Sequence, residues 1–138
     1  MSAEGKKIAV GVFCADWRLH QDTVHLNQAA RDHLKVDGVD VLAVAGPDGI
    51  TKPGREAEAE ALAKNIQVLI GAHQPVAVAF IGHYSCAGNP VANDEHDKDV
   101  VTTAMKLKEM LNFDGEIVAL MATYTSDIEW PLKEIARI

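Results

Sequence analysis

Four short, almost wholly apolar runs constrain this chain more than any other feature: KIAVGVFC at 7–14, VDVLAVA at 39–45, VAVAFI at 76–81 and EIVALM at 116–121. A strand buried on one face alternates apolar with polar residues. Strands buried on both faces do not, and that is the pattern of a parallel sheet covered by helices. The stretches between the runs read as amphipathic helices over 23–34, 55–71 and 94–111. Asp22 is placed to cap the first, and Gly38 marks where the chain has left it. The second is rich in Ala, Glu and Leu, and Pro75 stops it. Residues 129–138 are predicted to form a short final helix with Pro131 in its first turn. Strands alternating with helices imply right-handed crossovers. The expected fold is therefore α/β: one domain over residues 1–138, doubly wound, with a mainly parallel four-stranded sheet in the order 2-1-3-4 and helices on both faces.

The 138 residues suit one domain with a core of its own. The net charge of −7 disfavours nucleic acid and anionic membranes as partners, and an aromatic content of only 5% leaves little to stack bases on. The apolar run at 8–13 is too short for a signal-peptide core or a membrane span, so a soluble, cytoplasmic protein is expected. Two cysteines in such a chain point to metal or thiol chemistry rather than to a disulfide.

In a sheet of this order, ligands bind at the carboxyl ends of the strands where the winding reverses, here between strands one and three. Cys14 ends strand one, and His83 and Cys86 follow strand three. Two thiolates and one imidazole suit zinc (Zn2+), and three protein ligands leave a fourth position for a catalytic water. The alternative of a redox pair lacks a Cys-x-x-Cys motif. Asp16 and Arg18, two and four residues past Cys14, place a carboxylate within reach of the metal or its water. Arg18 can hold that carboxylate by a bidentate pair and keep it from closing the fourth position.

His20 and His25 lie close enough to relay protons, although surface histidines are the simpler reading. His33 and His73 are expected on helical surface or at helix ends. Gly88, Asn89 and Pro90 are read as turn geometry, and Gly82 as a residue that permits an unusual backbone. Residues 93–97 are read as an acidic helix start, and Glu56, Glu58 and Glu60 as a solvated face.

Cys-x-Asp-x-Arg at the end of a first strand, followed by His-x-x-Cys after a later one, resembles the β-class carbonic anhydrases, and a compact branch of them best matches the loop 86–91. The resemblance spans most of the chain, from residue 7 to about 121. It implies zinc ligands Cys14, His83 and Cys86 and an Asp16–Arg18 dyad. It also implies reversible hydration of carbon dioxide to bicarbonate by zinc-bound hydroxide. The sequence departs from the family at Ser85, where Asp is common, and at Ala45-Gly46, the remnant of Arg-Asn-Ala-Gly. Few residues precede strand one, where the family usually has a helical arm. Two alternatives share the site: a zinc hydrolase of carbonyl sulfide or carbon disulfide, and a non-catalytic zinc protein. A homodimer or higher homo-oligomer is expected, supported by the first strand or by Ile128, Trp130, Leu132, Ile135 and Ile138.

Overall fold

The computed structural model describes residues 4–126 and 129–138. The four apolar runs form strands β1 (Ile8–Cys14), β2 (Gly38–Val44), β3 (Ala77–His83) and β4 (Glu116–Ala122), all parallel, in the spatial order β2-β1-β3-β4. The helices between them are α1 (Leu26–Leu34), α2 (Glu56–His73) and α3 (Asn93–Met110). Alternate residues of β1, β3 and β4 feed two cores. Val10, Val12, Phe80 and Met121 pack with Leu62, Ile66 and Leu107 from α2 and α3. Phe13, Ile81 and Leu120 pack with Leu26, Ala30 and Leu34 from α1. Helices therefore cover both faces, and the winding reverses between β1 and β3, as the apolar runs predict.

Two expectations are corrected. First, residues 129–138 do not form a helix: Leu132–Arg137 is a fifth strand, β5, antiparallel to β4. The register shifts between Ala119 and Leu120, which pair with Ala136 and Glu134. This irregularity breaks the two-residue alternation that would have marked a strand, and it leaves Leu132, Ile135 and Ala136 at helical spacing. β5 covers the open edge of β4 and carries Lys133, Glu134 and Arg137, charges of the kind that discourage further pairing. Arg137 is tied to Glu116 at 2.6 Å and to Glu134 at 2.7 Å.

Second, the first helix starts later than Asp22 suggested. Residues 17–20 make a 3-10 turn, Val24 N–H donates to the Gln21 carbonyl, and α1 begins at Leu26 after His25, whose backbone is left-handed (φ 54°). Buried Leu19 anchors this turn in the core, which fixes the chain before it can enter a helix. Among the described residues, no helix is long and apolar enough to cross a membrane.

Candidate metal centre

The parallel register sets the site. Phe13 pairs with Ile81, so β1 and β3 end side by side and release Cys14 and His83 at the same edge of the sheet. The loop after β3 then turns Cys86 back toward them, with Ser85 in the left-handed region at φ 59°. All three residues are buried. One ligand atom from each lies within 4.8 Å of the others, and no other such group of three occurs among the described residues.

The donor set fits a tetrahedral ion. The two sulfurs are 3.7 Å apart, and thiolates bound at about 2.3 Å to one tetrahedral zinc would stand about 3.8 Å apart. His83 Nδ1–H donates to the Tyr84 carbonyl at 2.8 Å, which leaves the Nε2 lone pair for the site. That Nε2 is buried and has no hydrogen-bond partner. Buried acceptors are rarely left unpaired, so an orphan beside two sulfurs is the mark of a ligand position.

The electrostatics point the same way. The two thiols share a proton unequally. The hydrogen bond from Cys86 holds the Cys14 thiol well below its usual range against the cost of burial, helped by His83 and by the N–H groups of Gly46 and Asp16. The same bond, with burial, pushes Cys86 up. Burial alone would depress His83, but Cys14, the Tyr84 carbonyl and Asp16 together raise it. One negative sulfur beside an imidazole that gains from protonation is a pocket that favours a cation.

Asp16 and Arg18 sit on the 3-10 turn after β1. Arg18 Nη2 donates to Asp16 Oδ2 at 2.7 Å and Nε to Oδ1 at 3.1 Å, while the Arg18 backbone N–H donates to Oδ1 at 2.9 Å. This holds the Asp16 carboxyl at about 2, below its ordinary 3.8. Arg18 Nη2 also donates to the Ser85 carbonyl at 2.9 Å, so the dyad is stapled to the loop that carries Cys86. Asp16 Oδ2 lies 3.9 Å from His83 Nε2, close to the site but outside hydrogen-bond range of that nitrogen.

A cleft of about 550 Å³ opens beside the dyad, lined by Trp17, Arg18, Gln21, Ser85, Tyr124 and Trp130. Trp17 stands at its rim, 71% exposed. Trp130 is buried, its ring edge-on to His83 at 5.7 Å and beneath the Arg18 guanidinium at 5.7 Å. That placement withdraws Trp130 from the outer surface expected of a dimer contact, and Ile128 lies outside the described residues.

The histidines outside the cluster fall elsewhere. His20 Nε2 bonds the Cys14 carbonyl at 2.7 Å and so supports the turn, and exposed His25 stands at the N-cap position of α1 with no side-chain capping bond. His33 pairs with Glu134 and His73 with Asp40. Glu56, Glu58 and Glu60 are exposed, as expected. Gly82 has no left-handed backbone: a Cβ there would lie 2.9 Å from Met121 Sδ and 3.0 Å from Asp48 Cβ, so space, not φ, demands glycine.

The sequence reading missed a buried polar cluster behind the site. Asp48 and His96 are fully buried and joined at 2.5 Å. Asn89, read as turn geometry, is buried and bonds Asp48, Asp99 and Lys52. One signal was present: His96 falls in step with Val100, Thr103, Ala104 and Leu107 on the buried stripe of α3, so it faces the core while the acidic residues around it start the helix.

A family model described as "Putative carbonic anhydrase" matches residues 4–135. Among solved structures, β-carbonic anhydrase isoform I from the protozoan Trichomonas vaginalis is similar in fold. It is 16% identical, with a TM-score of 0.57 over 93% of this chain and 81% of that one. No curated protein matches the sequence.

Proposed function

The chain belongs to a carbonic anhydrase-like family, and on that premise we propose that it is a zinc lyase catalysing the reversible hydration of carbon dioxide to bicarbonate. The observation that carries this reading is the convergence of Cys14 Sγ, Cys86 Sγ and one His83 nitrogen within 4.8 Å, beside a carboxylate held by arginine. Zinc bound there would supply a hydroxide nucleophile near neutral pH by lowering the pKa of a water ligand to about 7.

The chain's own residues do the rest. Cys14 and Cys86 give the site negative charge, and the Tyr84 carbonyl fixes the tautomer that presents His83 Nε2. Asp16 stays ionised throughout the neutral range and accepts a hydrogen bond from the attacking water, which orients its lone pair. Arg18 occupies both Asp16 oxygens and so keeps the carboxylate from turning inward to take the fourth ligand position. That restraint also favours an enzyme over a non-catalytic zinc protein, which would need the fourth position closed. Carbon dioxide reaches Asp16 from the cleft walled by Arg18, Ser85 and Trp130.

The test is stopped-flow carbon dioxide hydration by zinc-replete protein from about pH 7 to 9, a range that spans the expected pKa of the water. Activity that disappears in Cys86→Ser is the expected result. Bound zinc with no hydration at any pH would overturn the reading. Sulfide release from carbonyl sulfide or carbon disulfide would then identify a hydrolase, and its absence a non-catalytic zinc protein.

A further inference from the structure

The cluster behind the site is an unusual thing to bury. Asp48 follows β2 in the turn 46–49, and His96 comes from the first turns of α3. Their side chains are 0% exposed. Asp48 Oδ2 accepts from His96 Nδ1 at 2.5 Å and from Asn89 Nδ2 at 3.1 Å, yet Asp48 Oδ1 and His96 Nε2 have no partner. A half-satisfied buried pair contributes little stability, and apolar residues of the same volume would serve a core as well or better. Its value must lie in holding one geometry.

What it holds is Asn89. Besides Asp48, the Asn89 amide donates to Asp99 Oδ2 at 2.9 Å and its carbonyl accepts from Lys52 Nζ at 2.6 Å, while Lys52 and Asp99 pair at 2.7 Å. The side chain rests on Gly49, where a Cβ would come within 2.7 Å of Asn89 Cγ. Asn89 is three residues past Cys86. Its backbone N–H meets the Cys86 carbonyl at 3.3 Å, which ties the turn directly to the ligand residue.

We infer that Asn89, locked by the Asp48–His96 and Lys52–Asp99 pairs, is the positioning residue that seats the turn carrying Cys86, so that this buried cluster sets the affinity of the metal centre. The inference rests on the metal-binding part of the proposed function. It assigns Asn89, Asp48 and His96 a role that acts through Cys86, with no contact to substrate. Each pair joins the segment after β2 to α3, so removing either loosens the loop without removing a ligand.

The experiment is zinc and cobalt(II) affinity by chelator competition, with the cobalt–thiolate absorption band as a spectroscopic reading of the sulfur geometry. Asn89→Ala and Asp48→Asn should each weaken affinity by about 10- to 100-fold and alter the band. The double variant should be no weaker than the poorer single, because both break one network. Leu107→Ala, a core truncation in α3 away from these contacts, should lower the melting temperature and leave affinity unchanged. Lys52→Met, at a part-exposed position, carries the test if Asp48→Asn does not fold. Wild-type affinity in folded Asn89→Ala overturns the inference, as does an equal loss in Leu107→Ala, which would mean that affinity merely follows stability. A wild-type chain that binds neither metal overturns the proposed function as well.

Discussion

Gly46→Ala is the substitution whose cost can be worked out most directly. Gly46 is left-handed at φ 54°, which costs an L-residue about 1 kcal/mol or more. A Cβ there would lie 2.4 Å from the Gly88 carbonyl carbon, 2.6 Å from its oxygen and 2.9 Å from Asn89 N. All three are backbone atoms, so no side chain can swing aside, and ordinary contact needs a separation of about 1 Å more. Overpacking of that kind costs about 1–3 kcal/mol. The total, about 3 kcal/mol, is a large fraction of a typical domain's stability and should lower the melting temperature by about 10 °C. The strain falls on the metal centre, because Gly46 N–H donates to Cys14 Sγ at 3.5 Å and Gly88 borders Cys86. Prising the two loops apart lengthens the 3.7 Å sulfur separation. Denaturant unfolding and metal competition should therefore report a loss together. Gly54→Ala is the control: it is also left-handed, at φ 92°, but nothing lies within 4 Å of its Cβ. It should lose only the backbone contribution and keep its metal. A Gly46→Ala loss below about 1 kcal/mol with metal binding intact would refute the reasoning.

Arg18→Ala and Asp16→Asn should each lower carbon dioxide hydration by about 10- to 100-fold with zinc retained, read by stopped flow and metal analysis. Full activity in both would remove the dyad from the mechanism. Arg18 also holds the Asp16 carboxyl at about 2, so the stability it contributes is complete above 3.8 and lost as pH falls through about 2. An acid melt of Arg18→Ala should be flatter than wild type across that window. A homodimer is the expected assembly of so small a sheet, and light scattering should give 29.8 kDa, twice 14.9 kDa. A clean monomer would rule that out.

Parallel strands buried on both faces announce themselves, which is why β1, β3 and β4 and the edge carrying Cys14, His83 and Cys86 were legible in the sequence; β2, an edge strand with Val41 exposed, was legible from its apolar run and its place in the strand–helix alternation. The same logic failed at β5. That strand covers an edge, is half exposed and crosses a bulge, so neither a continuous apolar run nor a two-residue alternation marked it. The dyad was readable because both members lie within five residues of Cys14. Asp48, Asn89 and His96 were not, because they meet across separations of 41 and 48 residues, and each resembles something ordinary alone: a turn aspartate, a loop asparagine, a helix-start histidine. Trp130 was hidden for the same reason, its contact with His83 being made only when β5 folds back.

The long-range contacts explain why a site of three ligands needs so much of the chain. Cys14 and Cys86 lie on segments that share no secondary structure past the sheet edge, and two arginines tie the surrounding loops together. Arg18, anchored on the Cys14 side by Asp16, reaches the Ser85 carbonyl just before Cys86. Arg55, at the start of α2, donates to the Ala45 and Gly46 carbonyls beside Cys14 and to the Gly88 carbonyl beyond Cys86. Each guanidinium offers several donors in a rigid fork, so it fixes angle as well as distance, which a lysine would not do. The sulfur separation is thus set by two charged staples on the surface and one buried cluster beneath. A substitution in any of the three should move the cysteines before it unfolds the sheet, whose strands are held independently by the two apolar cores.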